Sequence, residues 1–183
     1  MKNEKNFIIA GFGGQGVLLA GEVLANAFMF ANKFVTWYPS YGAEMRGGTV
    51  NCEIVVGDEE VSAVNNKNID YLIALNQLSF DKFLPKIKKG ATVIANSTLI
   101  KNIKPIEGIK YFFAPITELA GELGNVKMAN ILSLGMLAKQ LEFNNLELLE
   151  RAIETVIPAH RKNFLPLNYK ALKLGYEYQL VTK

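Results

Sequence analysis

Residues 11–16, Gly-Phe-Gly-Gly-Gln-Gly, have the types and spacing that can hold an anionic group. They fit the pattern G-x-G-x-x-G and lie between a short apolar run, residues 7–10, and an Ala- and Leu-rich stretch, residues 17–31. Glycines at a strand-to-helix turn let backbone N–H groups and the helix N-terminus approach a phosphate or carboxylate. The candidate binding residues of this turn are Gly11, Gly13, Gly14, Gln15 and Gly16.

Two familiar uses of such a turn do not fit the residues that follow it. NAD-binding domains place an acid about 20 residues on, at the end of the second strand, to hold the ribose hydroxyls. Here residues 36–40 are Thr-Trp-Tyr-Pro-Ser, and the first acid after them is Glu44. No Gly-Lys-Ser or Gly-Lys-Thr follows the glycines, which excludes a Walker-type loop. Tight packing of helix on strand, without any ligand, stays open as a second explanation of the glycines.

A second unusual loop, residues 39–48, has the sequence Pro-Ser-Tyr-Gly-Ala-Glu-Met-Arg-Gly-Gly. It follows the second predicted strand, at the sheet edge where open parallel sheets bind ligands. Arg46 offers a two-pronged donor for carboxylate or phosphate, and Glu44 can pair with it. A solvated ion pair between these two residues is the alternative. The candidate residues of this loop are Ser40, Tyr41, Glu44, Arg46, Gly47 and Gly48.

The hydrophobic pattern predicts the elements that place both loops. Strands are predicted at residues 7–10, 34–38, 49–56, 69–75, 91–95 and 110–114. Helices are predicted at residues 17–31, 80–89, 127–141, 145–156 and 164–178, with a helix start at 115–118. Pro39 is expected to stop the second strand, and residues 49–63 are predicted to form an inserted β-hairpin. The alternation predicts one α/β domain with a helical C-terminal third.

Composition excludes several classes of protein. Half of the 183 residues are hydrophobic, which excludes a disordered chain. Lys and Arg number 20 against 17 acids, without a basic stripe, so charge alone does not predict nucleic-acid binding. No apolar run reaches the ~20 residues that span a bilayer, and no secretory core follows the N-terminus. We therefore expect a soluble cytoplasmic protein that makes no contact with a membrane.

The remaining chemically capable residues fit structural roles better than catalytic ones. His160 is the only histidine, so no triad or metal site can be built around it. Cys52 is the only cysteine, and it alternates with apolar residues, as a core residue does. The acids at 58–60 are typical of a solvated turn. Core packing and an intersubunit contact remain equally open for five aromatic residues, Trp37, Phe164, Tyr169, Tyr176 and Tyr178.

The two loops together resemble one known family. Residues 11–17, Gly-Phe-Gly-Gly-Gln-Gly-Val, followed by residues 36–48, Thr-Trp-Tyr-Pro-Ser-Tyr-Gly-Ala-Glu-Met-Arg-Gly-Gly, are similar to the gamma subunit of 2-oxoacid:ferredoxin oxidoreductases. The similarity extends over residues 6–178 and includes Asn51-Cys52 and the helix at 130–137. It implies a single Rossmann-like, three-layer α/β/α domain of the gamma type over residues 1–183, with a mostly parallel sheet.

The resemblance also implies a function for the assembled complex. Such complexes oxidatively decarboxylate a 2-oxoacid, transfer the acyl group to coenzyme A and pass electrons to ferredoxin. Thiamine diphosphate, Mg²⁺ and [4Fe-4S] clusters are implied in partner subunits (alpha, beta and a ferredoxin-like delta), with none held by this chain alone. No residue of this chain is implied to be catalytic or to bind metal; its two loops would support the active site near coenzyme A.

Within the family, residues 38–48 resemble the 2-oxoglutarate branch more than the pyruvate branch. The pyruvate branch tends to have a second arginine where Met45 stands here. Because other subunits largely choose the substrate, 2-oxoisovalerate and other 2-oxoacids stay open, and indolepyruvate oxidoreductase beta chains share this domain. A self-contained dinucleotide-binding oxidoreductase or regulator is the alternative from another class.

Overall fold

In the computed structural model of the chain, residues 4–41, 49–61, 67–143, 146–179 and 181–182 are described. The strands are β1 (Lys5–Phe12), β2 (Phe34–Tyr41), β3 (Thr49–Gly57), β4 (Ile69–Ala74), β5 (Ile87–Asn96), β6 (Lys110–Ala114) and β7 (Val181–Thr182). The helices are α1 (Val17–Phe30), α2 (Gln77–Phe83), α3 (Ile116–Glu122), α4 (Ala129–Gln140), α5 (Leu146–Val156) and α6 (Leu165–Glu177). Short 3₁₀ turns cover Leu84–Lys86, Val126–Met128 and Ala159–Phe164.

The strands form one sheet in the order β2-β3-β1-β4-β5-β6-β7. The centre, β1-β4-β5-β6, is parallel, whereas β3 pairs antiparallel with both β1 and β2, and β7 pairs antiparallel with β6. All strands except β3 and β7 therefore run in the same direction. The predicted α/β class with a mostly parallel sheet is confirmed.

Alternate residues of the central strands pack into two cores, one on each face of the sheet. Phe7 and Ile9 face the larger core, which α1, α4, α5 and α6 cover. Ile8 and Ala10 face the smaller core, which α2 and residues 97–109 cover. This period of two places the helices in layers on both sides of the sheet.

The strand neighbours differ from the prediction around β3. The helix α1 connects β1 to β2, as expected, but β3 lies between these two strands. The predicted hairpin within residues 49–63 is wrong in its partner: β3 pairs with β1 on one side and β2 on the other, and residues 58–61 contain no strand. Residues 62–63 of the predicted hairpin lie outside the described residues. Residues 51–57 of β3 are buried on both faces instead of alternating, and α1 covers the face that carries Cys52.

Proline positions account for two wrong boundaries. β2 continues through Pro39 to Tyr41, because β2 is an edge strand and a missing N–H on its outer side breaks no ladder. The helix predicted at 80–89 ends instead at Phe83, and a 3₁₀ turn containing Pro85 leads into β5. Pro85 cannot donate the next helical hydrogen bond, so the chain leaves the helix there.

Candidate functional site

The glycine turn joins the end of β1 to the start of α1, at the carboxyl edge of the parallel strands. The backbone N–H of Gln15 donates to the carbonyl of Phe12 (3.2 Å), which closes the turn. Gly14 and Gly16 have φ angles of 93° and 71°, a left-handed conformation that side chains with a Cβ rarely adopt. The turn thus needs glycine for its backbone path at these two positions.

Gly11 serves the packing of the turn. A Cβ at Gly11 would lie 2.6 Å from Gln15 Oε1 and 2.9 Å from Val17 Cγ2. The side chain of Gln15 folds back across this space, where its Oε1 accepts hydrogen bonds from the N–H of Phe12 (2.6 Å) and from Asn76 Nδ2 (3.2 Å). Gly11 and Gln15 therefore lie behind the turn, on the side away from the cleft described next.

A cleft of about 730 Å³ opens in front of the turn. Gly13, Gly14 and the first residues of α1 form one wall, and Val50 of β3 contributes to the cleft lining. The opposite side comes from the start of α4 and from the 3₁₀ turn Ala159–Phe164 that precedes α6. Four chain segments that are far apart in sequence therefore meet at this cleft.

The cleft is apolar over much of its lining and positive where it is charged. Phe12, Met128, Ile157 and Phe164 supply apolar surface, and Phe164 is 43% exposed. The charged side chains among the described lining residues are cations, Lys127 and Arg161. The N-terminus of α1 adds the positive end of a 14-residue helix. Such a cleft suits a ligand that combines negative groups with an uncharged body.

Asn130 connects the glycine turn to α4. Its side chain is buried, lines the cleft and donates from Nδ2 to the carbonyl of Gly16 (3.0 Å). A Cβ on Gly16 would lie 2.4 Å from this nitrogen, so Gly16 also makes room for Asn130. The position of α4 and the position of the turn are thereby linked.

The structure brings together part of the predicted site. Gly13, Gly14 and Gly16 line the cleft, and Gly11 and Gln15 support the turn from behind. Ser40, near the end of β2, is half-buried and pairs with Asn51, and it is not among the cleft-lining residues. The backbone of Tyr41 pairs with Val50. The predictions for Glu44, Arg46, Gly47 and Gly48 lie outside the described residues.

Sequence reasoning missed Lys127, Asn130, Arg161 and Asn168 as cleft residues. The polar residues around the start of α4 carried a usable signal, because they precede a mostly apolar stretch, residues 131–138. Arg161 lies in the basic stretch 158–162, which gives no sign from sequence alone that it faces the glycine turn. Its neighbour His160 is exposed. Among the described residues, no group of three or more His, Cys, Asp or Glu could hold a metal ion.

Cys52 is fully buried beneath α1. Burial raises the pKa of its thiol to about 12, despite contacts with Trp37 and the carbonyl of Ile9 that lower it. A thiol that stays protonated at neutral pH is a poor nucleophile. The structure thus places Cys52 in the core, as predicted.

The aromatic residues divide by location. Trp37, Tyr169, Tyr176 and Tyr178 pack partly buried against the larger core, as the core-packing alternative predicts. Burial and a hydrogen bond to Glu154 raise the pKa of Tyr169 to about 12. Phe164, by contrast, lies exposed at the cleft.

The sheet order and the cleft define a class of protein. This is a Rossmann-like α/β chain with a glycine turn at the crevice outside the carboxyl ends of parallel strands, where such sheets bind ligands. Residues 6–178 match the pyruvate ferredoxin/flavodoxin oxidoreductase family, and the chain belongs to that family.

Individual relatives agree with this assignment. The 2-oxoglutarate synthase subunit KorC of Methanocaldococcus jannaschii is 34% identical over 184 residues, which cover 97% of this chain and 95% of KorC. The ketoisovalerate oxidoreductase subunit VorA of Methanothermobacter thermautotrophicus is 35% identical over 173 residues. That match covers 93% of this chain, which spans only 35% of the length of VorA.

A solved structure supports both fold and family. The gamma subunit of a keto/oxoacid ferredoxin oxidoreductase from Geobacter sulfurreducens PCA matches with a TM-score of 0.84 at 28% identity, covering 96% of this chain and 95% of that one. The resemblance to gamma subunits that the two loops indicate is confirmed. In the described part of the chain, no helix has the length and apolar character needed to cross a bilayer.

Proposed function

We propose that this chain is the gamma subunit of a coenzyme A-acylating 2-oxoacid:ferredoxin oxidoreductase of the 2-oxoglutarate type. In this role it supports oxidative decarboxylation of a 2-oxoacid to an acyl-CoA, with electrons passed to ferredoxin, as one gamma-type domain over residues 1–183. The observation that carries the proposal is the cationic cleft at the glycine turn, in a chain that matches a 2-oxoglutarate synthase subunit over 95% of that subunit's length.

The charged and apolar groups of the cleft support binding of coenzyme A. The amides of the glycine turn, the α1 N-terminus, Lys127 and Arg161 stabilise phosphate groups. Phe164 and Ile157 offer apolar surface to the uncharged part of the ligand. The chain thus binds and orients a co-substrate and carries out no bond-breaking step itself. Ser40, Tyr41, Glu44 and Arg46 of the second loop are proposed to support the same site.

The redox groups belong to partner subunits in this proposal. An iron–sulfur cluster takes several thiolates, and this chain offers one thiol, which is buried and protonated. Thiamine diphosphate, Mg²⁺ and [4Fe-4S] clusters are therefore assigned to alpha, beta and ferredoxin-like delta subunits. We propose that the complex works in the cytoplasm.

Co-purification tests the proposal as a whole. The tagged native chain should emerge with thiamine diphosphate- and cluster-bearing partners and reduce ferredoxin in the presence of coenzyme A and 2-oxoglutarate. A chain that emerges alone would refute the subunit assignment. Higher kcat/KM with 2-oxoisovalerate, to which the similarity to VorA points, would move the substrate assignment and leave the subunit role intact.

Two neighbouring cations test the cleft itself. Arg161 lines the cleft, whereas Lys162, also exposed, does not. Losing one charged hydrogen bond to a phosphate typically costs about tenfold in affinity. In the assembled complex, Arg161→Gln should raise the KM for coenzyme A about tenfold and leave the KM for the 2-oxoacid unchanged. Lys162→Gln is the control and should change neither value.

A self-contained dinucleotide-binding oxidoreductase is the rival function. Isothermal calorimetry of the full chain with NAD, NADP and FAD distinguishes the two. Micromolar binding of any of these dinucleotides would support the rival, and weak or absent binding is the expected result.

A further inference from the structure

The Oε1 atom of Gln15 occupies a position where a strand carbonyl would normally continue the sheet. The parallel pairing of β1 with β4 ends at Ala10 opposite Ala74, followed by the N–H of Leu75 donating to the carbonyl of Ala10 (2.9 Å). Because the N–H groups of successive strand residues point to opposite sides, the next donor of β1 on the side of β4 is the N–H of Phe12, and its acceptor is Gln15 Oε1 at 2.6 Å. A side chain from within the turn thus satisfies the last backbone donor of β1.

Asn76 holds Gln15 in this position. Asn76 is 1% exposed, and its two amide atoms point to different elements. Its Oδ1 accepts the N–H of Ser79 (2.8 Å) and caps α2, while its Nδ2 donates to Gln15 Oε1 (3.2 Å). One oxygen of Gln15 therefore joins the start of α2 to the end of β1.

The missing side chain of Gly11 leaves the space that this contact occupies. A Cβ there would lie 2.6 Å from Gln15 Oε1 and 3.2 Å from Leu75 Cβ, so a larger residue would displace the glutamine side chain. The opposite end of the turn is fixed separately, through Asn130 and the carbonyl of Gly16. Between these two anchors lie Gly13 and Gly14, which line the cleft.

We propose that Asn76 is a positioning residue for the cleft, acting through Gln15 on the backbone of Phe12 to fix the path of Gly13 and Gly14. Since neither Asn76 nor Gln15 is among the cleft-lining residues, the pair acts on the ligand only through the turn. The expected effect on coenzyme A affinity rests on the proposed function. The expected effect of Asn76 and Gln15 on the backbone of the turn does not depend on it.

The substitutions can be matched closely. Asn76→Ser keeps a helix-capping oxygen and adds no charge, but serine is too short to reach Gln15. Gln15→Met keeps the length of the side chain and removes the acceptor. Gln77→Met is the control, because Gln77 Oε1 also accepts two hydrogen bonds, from the N–H groups of Lys101 and Asn102 (3.0 Å each), away from the turn.

Amide hydrogen exchange of the full chain, followed by NMR, tests the relay independently of any ligand. Gln15→Met and Asn76→Ser should each accelerate exchange of the Phe12 amide about tenfold, with the amide of Ile94 in central β5 unchanged. In the double variant, Asn76→Ser should add nothing at Phe12, because its effect passes through Gln15. Gln15→Glu keeps an acceptor oxygen at the same distance from the backbone and should keep slow exchange.

Kinetics of the assembled complex test the consequence for binding. Gln15→Met and Asn76→Ser should each raise the KM for coenzyme A several-fold, leave the KM for the 2-oxoacid unchanged, and again be non-additive. Gln77→Met should leave both KM values unchanged.

Additive effects of the two substitutions, or unchanged exchange at Phe12, would overturn the relay. Changed exchange with an unchanged KM for coenzyme A would refute its role in binding. A wild-type complex that shows no dependence on coenzyme A would instead refute the proposed function, while the exchange data would still decide the relay.

Discussion

The crossing of α4 and α6 gives the sharpest stability prediction. The two helices meet backbone to backbone, with Gly135 and Gly175 at the contact. A Cβ on Gly135 would lie 2.1 Å from the carbonyl oxygen of Leu172 and 2.8 Å from the backbone nitrogen of Tyr176. A Cβ on Gly175 would lie 2.0 Å from the carbonyl oxygen of Leu132. These atoms belong to helix backbone, so no side-chain rotation relieves the overlap.

Gly135→Ala must therefore push the helices apart. An ordinary van der Waals contact begins at 3.4 Å, whereas this Cβ would lie 2.1 Å from the carbonyl oxygen of Leu172. The two helices therefore have to separate by more than an ångström at this point. Overpacking of this kind costs up to about 3 kcal/mol, and alanine returns about 1 kcal/mol through its higher helix propensity. We expect a net loss of about 2 kcal/mol in the free energy of unfolding, equivalent to a Tm lower by roughly 4–8 °C.

Denaturant titration measures this loss, and Gly121→Ala is the matched control. Gly121 lies in α3, and a Cβ there would meet only Val126 Cγ1, at 3.7 Å. The same substitution should stabilise the protein there by up to about 1 kcal/mol. If Gly135→Ala were as stable as wild type while Gly121→Ala gained stability, the close helix crossing would be refuted.

Three further predictions concern buried groups. Burial raises the pKa of Cys52 from 9.0 to about 12, so above about pH 9 the thiol ionises in the unfolded chain before it does in the folded one. The free energy of unfolding should therefore be about 2 kcal/mol lower at about pH 10.5 than below about pH 9. Urea titrations should show Cys52→Ala losing less than wild type over that range; equal losses would contradict the assignment. Gly21→Ala places a Cβ 2.2 Å from the Cys52 sulfur and should lower the free energy of unfolding by about 2 kcal/mol in wild type. The loss should be smaller in a Cys52→Ala background, where the sulfur is absent. Asp70→Asn removes the ion pair of a buried carboxylate with Lys88 and should cost about 1 kcal/mol, whereas Asp58→Asn, at an exposed pair, should cost almost nothing in the same titration.

The sequence predicted the fold class well, because each central strand carries its own signal. Residues 7–10 are a continuous apolar run and residues 69–75 are apolar except at Asp70, and both correspond to strands buried on two faces. Pairing partners leave no such local signal. Alternation on β3 predicted one exposed face, but both faces are buried, because burial depends on what packs over the sheet and not on the residues of the strand alone.

The candidate site likewise has a part that the sequence predicted and a part that it did not. The glycine turn was recognisable because its residues are contiguous and their spacing is tied to a backbone path. Arg161 and Lys127 face that turn only because α4 and the segment before α6 fold back over the larger core. A contact between residues more than 100 positions apart, such as Asn130 with Gly16, has no local periodicity from which it could be inferred.

The sequence by itself determined the class of the chain, the glycine turn and the family resemblance, since all three depend on local spacing. Tertiary structure alone decided what each glycine does. Gly13 and Gly14 line the cleft, whereas Gly11 lies behind it and makes room for Gln15. The pattern G-x-G-x-x-G cannot separate these roles, because they depend on which atoms from β4, α2 and α4 pack against the turn.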